Sequence, residues 1–163
     1  MSRLQQFNER IGRWVSWLNL VLILLICFDV LFRYAFHTTH AWIMELEWQL
    51  FALIFLLGGA FTLARDKHVR VDVFYIRLPE KAKAIINIAG YLLLLTPWCL
   101  LMIYTGGKYA HHAFETMEGS PNPGGLPYYF IIKSMIVIGF ALLLIQGIVE
   151  MILEFKKLQH WNT

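Results

Sequence analysis

Five ionisable side chains gather toward one end of the long apolar runs: Asp29, Arg33, Glu45, Glu47 and Lys133. A charge buried in hydrocarbon costs several kcal/mol, so each of these needs a partner or a route to water. Asp29 and Arg33 are four residues apart, share one face of a helix and can pair. Glu45 and Glu47 are two apart and cannot share a face. One of them is expected to meet Arg33 or Lys133 while the other reaches headgroups. Lys133 lies about five residues, roughly 7 Å, into its run. Two readings follow. The charges form an ionic knot that clips the first, second and fourth apolar runs together, or Arg33 and Lys133 each snorkel to water alone. A proton or ion relay is disfavoured, because it needs acidic groups near a midplane without basic neighbours.

Other chemistry has little to stand on. None of the histidines His37, His40, His68, His111, His112 and His160 falls in the middle of an apolar run, which argues against haem. His111 and His112 are adjacent, so they point different ways on a helix, and no metal site is expected there. Cys27 and Cys99 lie inside apolar runs without metal-type spacing and read as inert thiols rather than a disulfide. There is no phosphate loop, nucleophile elbow or paired-carboxylate motif, so the chain does not read as an enzyme, and no cofactor is expected. Gly58 and Gly59, followed by Ala60, make a small-residue patch that lets a sister helix or a partner approach closely. The stretch R-D-K-H-V-R-V-D at 65–72 is dense in charge, and Asp72 is placed to cap a short amphipathic segment, V-F-Y-I-R-L.

The elements that must position these residues follow from composition. Of the 163 residues, 58% are hydrophobic and 15% charged, and the mean hydropathy is +0.57. A soluble globule is about a quarter charged, so lipid must be the solvent for much of this chain. The fold class is therefore an all-α integral membrane protein, a single four-helix domain over 1–163. Spans are expected at about 14–36, 42–64, 79–107 and 127–155. The first is too long for a signal peptide, lacks a small-residue cleavage site, and reads as an anchor. Pro79 suits a first helical position, and Pro97 is expected to kink the third span. Residues 2–13 carry Leu4, Phe7 and Ile11 in one stripe that continues to Trp14, with polar residues elsewhere. They read as an amphipathic helix lying in the membrane interface or packed on a partner's cytoplasmic face. E-G-S-P-N-P-G-G-L-P at 118–127 cannot be helical and must sit outside the hydrocarbon.

Loop charge sets the orientation. Eleven Lys and Arg residues lie before the first span, between the second and third, and after the fourth, whereas the opposite loops hold only Lys108. Lys and Arg concentrate in cytoplasmic loops, so both termini are expected in the cytoplasm and segments 37–41 and 108–127 outside. The net charge of +3 is small and scattered, which excludes nucleic acid as a partner and leaves lipid headgroups as the natural one.

Four motifs in order resemble a known family. They are D-V-L-F-R-Y-A-F at 29–36, W-I-M-E-L-E-W at 42–48, G-G-A-F-T-L-A-R-D-K-H-V-R-V-D at 58–72, and E-G-S-P-N-P-G-G-L-P-Y-Y at 118–129 with Gly139 and Gln146 beyond. The pattern is similar to the small membrane subunit of tripartite ATP-independent periplasmic (TRAP) transporters, the DctQ-like group. Members often carry a Pro shortly before the glycine of the fourth span, where this chain has Val137. The resemblance implies a bacterial inner-membrane subunit that does not bind substrate. It implies two partners: a large membrane subunit moving organic acids by a sodium-driven elevator motion, and a periplasmic binding protein. Sodium would bind in the large subunit. Sialic acid is slightly favoured over C4-dicarboxylates. The small subunit would brace the scaffold of the large one and offer part of the docking surface. On the same grounds Arg65, His68 and Asp72 are expected to be structural or subunit-contact positions. The alternative is a self-sufficient small homodimeric transporter, which would want a carboxylate at the midplane.

Overall fold

A computed structural model describes residues 3–65 and 78–160, with the backbone alone for 3–13 and 160. Its helices are α1 (Arg3–Phe36), α2 (Ala41–Ala64), α3 (Glu80–Glu115) and α4 (Phe130–His160). Each contains a stretch long and apolar enough to cross a membrane, and the described residues contain no strand.

The segment read as a separate amphipathic helix is continuous with the first span. The backbone runs as one helix from Arg3 to Phe36. No proline interrupts it, and Gly12 alone costs only about 1 kcal/mol of helix propensity. The helix stops where His37 turns to φ 53. The link to α2 is so short that the two helices must be antiparallel neighbours. Beyond α2, His68, Asp72 and the V-F-Y-I-R-L segment, but for its last residue Leu78, lie outside the described residues.

Pro79 stands at the N-cap of α3 in extended conformation, one position earlier than its expected first-turn role. α3 then runs on to Glu115, about two turns past residue 107. The perturbation expected from Pro97 takes the form of a π-helical turn at Tyr91–Leu95. Proline lacks an N–H and its ring crowds the carbonyl one turn earlier, so a regular ladder cannot pass through it. The widened turn re-registers the chain just before that point. Thr96 donates both its backbone N–H and its hydroxyl, the latter at 2.7 Å, to the Tyr91 carbonyl.

The helices form an open row rather than a closed bundle. α2 packs on α1 and on α4, and α4 packs on α2 and on α3, giving the order α1, α2, α4, α3. Without a hydrophobic force between helices in lipid, close approach depends on small residues and shape. Gly139 of α4 meets the backbone of α2, with the Leu56 carbonyl oxygen 3.0 Å from where a Cβ would stand. Gly106 and Gly147 leave room between α3 and α4 for side chains instead, those of Ile136 and Leu95. The Gly58 and Gly59 patch is not used this way among the described residues. A Cβ at Gly59 would meet nothing within 4 Å, and one at Gly58 only Val15 Cγ1 at 3.9 Å. Ile43, Leu63, Cys99 and Gln146 are buried between helices, while Phe51, Phe55, Leu93, Leu94 and Trp98 face outward.

Candidate functional site

The polar groups of the spans concentrate where the 116–129 connection joins α3 to α4. α3 ends in a Schellman turn. The Glu118 N–H bonds to the Ala113 carbonyl at 2.9 Å and the Met117 N–H to Phe114 at 3.2 Å, with Met117 left-handed at φ 48. Next, Asn122, Pro123, Gly124 and Gly125 form a tight turn, closed by a 3.0 Å bond from the Gly125 N–H to the Asn122 carbonyl. Proline followed by glycine at φ 74 is the signature of a type II turn. The two limbs pair through Ser120 N–H to the Leu126 carbonyl at 2.9 Å and Tyr129 N–H to the Glu118 carbonyl at 2.8 Å.

Glu45, in the first turns of α2, ties this loop to the helices. Its residue is 4% exposed. Oε1 accepts from the Ser120 hydroxyl and from Asn122 Nδ2 at 3.1 Å, and Oε2 accepts from the Leu126 N–H at 2.6 Å. An ionised carboxylate only accepts, and each of these three partners donates. The Ser120 hydroxyl also accepts from the Asn122 N–H at 3.0 Å, so the turn is braced from inside.

Lys133, 6% exposed, holds the base of the leading limb. Its ammonium donates to Glu118 Oε2 at 2.5 Å and lies 3.8 Å from the ring centre of Tyr109 on α3. Aromatic pairs flank the loop base: Trp48 meets Tyr129 edge-on at 5.9 Å, and Phe114 meets Phe130 at 5.2 Å.

The charges therefore divide into two clusters instead of one knot. Asp29 and Arg33 pair along α1 as their spacing predicts, with Asp29 buried and Arg33 half exposed. Glu47 lies within Coulombic range of both, and its Oε1 is buried without a hydrogen bond. Glu45 bonds neither Arg33 nor Lys133, because the loop supplies all its donors. Arg65 closes α2 with its guanidinium 4.5 Å above the Phe61 ring. His111 has Glu115 Oε2 at 3.5 Å from Nδ1, one turn further along α3.

Ser120, Asn122 and Leu126 escape a reading by spacing, because they lie 75 to 81 positions from Glu45, and Glu118 lies 15 positions from Lys133 across the loop. The available signal was a loop fixed by proline and glycine yet carrying a lone acid. Gln146, 0% exposed, is a second such residue. Its amide donates to Glu150 Oε1 at 2.7 Å on the same helix.

Taken together, the row of apolar helices and the pinned loop define a multi-pass membrane protein whose polar contacts near this end serve its own architecture. The family model for the DctQ component of tripartite ATP-independent periplasmic transporters matches residues 22–157, and the chain belongs to that family. The family is a transporter component rather than an enzyme family, and works with a large membrane subunit and a periplasmic binding protein. No individually curated protein matches the chain.

Proposed function

We propose that this chain is the non-substrate-binding small subunit of a sodium-driven transporter for organic acids, with sialic acid favoured over C4-dicarboxylates on overall similarity. It lies in the bacterial inner membrane with both termini cytoplasmic. It braces the stationary scaffold of the large subunit, and its outer loops contribute to the surface on which the binding protein docks. Sodium and substrate bind in the large subunit. The observation that carries this reading is how the span-embedded charges are used. Asp29, Glu45 and Lys133 are each buried, and each is committed to a partner within the chain. The central stretches 50–57, 92–101 and 136–144 contain no acid or base. A substrate route would need uncommitted polar groups at that depth.

The test is reconstitution. The chain alone in liposomes, under an inward sodium gradient, is expected to take up no organic acid, and uptake is expected once the large subunit and the binding protein are added. Uptake by the chain alone would establish the homodimeric-transporter alternative instead.

A further inference from the structure

We propose that Glu45 is a positioning residue for docking: it holds the 120–126 tip in the single shape on which the folded periplasmic binding protein seats. This rests on the accessory-subunit reading above.

The tip has few bonds of its own. Apart from the turn closure, the Ser120 to Leu126 pairing and the Asn122 N–H to Ser120 hydroxyl bond, its shape depends on one carboxylate reaching out from α2. That group grips both limbs: Oε1 takes Ser120 and Asn122 ahead of the turn, and Oε2 takes Leu126 behind it. Gly125 is part of the same fit. A Cβ there would stand 2.2 Å from Ser120 Oγ and 2.7 Å from Glu45 Oε1, so the loop closes on the carboxylate only with glycine at this place.

The residues this latch presents are Pro121, Asn122, Pro123 and Gly124, all exposed. They carry no charge, so they do not recruit anionic headgroups, which need Lys or Arg. They carry no large apolar side chain to enter the bilayer or a helix groove. Two prolines and a latched backbone leave little conformational entropy to lose on contact, which favours docking of a preformed protein surface. A soluble binding protein is the partner that fits a rigid, uncharged knob beyond the helix ends.

The experiment uses the assembled transporter in proteoliposomes, with uptake measured against binding-protein concentration. Glu45→Gln keeps the size but turns an NH2 group toward a donor. Gly125→Ala disturbs the same cage from the loop side, and Ser120→Ala removes one donor with Glu45 intact. The half-saturating binding-protein concentration is expected to rise about tenfold in Glu45→Gln and Gly125→Ala and about threefold in Ser120→Ala, with maximal uptake unchanged. Amide exchange at Gly125 and Leu126 is expected to quicken in step. Faster exchange with unchanged half-saturation, or a lower maximum at unchanged half-saturation, would overturn the docking role. If Glu45→Gln does not assemble, the Ser120→Ala titration decides. The accessory reading fails by a separate sign, uptake by the wild-type assembly that ignores binding protein altogether.

Discussion

Gly139→Ala should loosen the contact between α2 and α4 although it adds only a methyl group. The new Cβ would lie 2.9 Å from Leu56 Cβ, 3.0 Å from the Leu56 carbonyl oxygen and 3.2 Å from its carbonyl carbon. Carbon atoms rest at about 3.5–4.0 Å, so the helices must separate by roughly 0.5–1 Å. Two of the three obstacles are backbone atoms, which cannot rotate aside. Forced separation of this kind costs about 1–3 kcal/mol. Alanine returns about 1 kcal/mol through helix propensity. Gly107→Ala is the matched control, because a Cβ there would meet nothing within 4 Å and only the propensity gain applies. The two variants should therefore differ by about 1–3 kcal/mol. SDS titration of the purified chain in mixed micelles, followed by tryptophan fluorescence, reads the difference. Gly139→Ala is expected to unfold at lower SDS fraction than wild type, and Gly107→Ala at the same or a higher one. Coincident midpoints for the two variants would refute the claim that close backbone approach at Leu56 holds α2 against α4.

Three further outcomes are expected. Asp29→Arg and Arg33→Asp should each lower the yield of assembled complex, by about 3 kcal/mol where a buried charge is left alone, and the double exchange should restore it; a double variant no better than the singles would dismiss the pair. Met117→Gly should raise the SDS midpoint by about 1 kcal/mol, since Met117 occupies the left-handed position of the Schellman turn at φ 48; a lower midpoint would mean the methionine side chain contributes more than its backbone costs. His68→Ala or Asp72→Ala should weaken co-purification with the large subunit without altering which acid is carried, and a changed substrate preference in uptake assays would count against a subunit-contact role.

The spans were legible because apolar runs of that length have one physical solution, and Asp29 with Arg33 because helical geometry fixes what lies four residues away. The order of the helices was not legible. In lipid every face of a helix is allowed to be apolar, so no amphipathic stripe says which neighbour it meets. Only close-packed glycines mark the contacts, and sequence alone does not separate Gly139, against the Leu56 backbone, from Gly59, which meets nothing. Glu45 was recognisable as a group needing a partner. Its donors come from a loop more than seventy residues later, and one of them is a backbone group, the N–H of Leu126, beyond a turn that contains the left-handed Gly124. Pro97 signalled irregularity at the right place, but the form it takes, a π turn at Tyr91–Leu95, is not written in the proline itself. Here Leu95 of the turn lies against Gly147 of α4.

An open row has consequences for water. A closed bundle can hide a conduit between its helices, whereas in the order α1, α2, α4, α3 each interface is a pairwise seam. The mid-span residues that do not enter a seam, such as Leu24 on α1 and Leu93 and Leu94 on α3, are more than half exposed and apolar. In a membrane such surfaces face lipid or another apolar helix. Single cysteines placed through 21–26 and 92–101 should therefore resist a charged, membrane-impermeant maleimide, both in the chain alone and in the assembled transporter. The two native thiols are built-in controls: Cys99 is fully buried, and Cys27 is exposed on α1 within the apolar run, so it should stay unlabelled only if lipid covers it. Labelling that recurs along one face of either stretch would mean water reaches the middle of the row. The charges near its ends would then have to be reconsidered as the mouth of a path rather than as fixings for a loop.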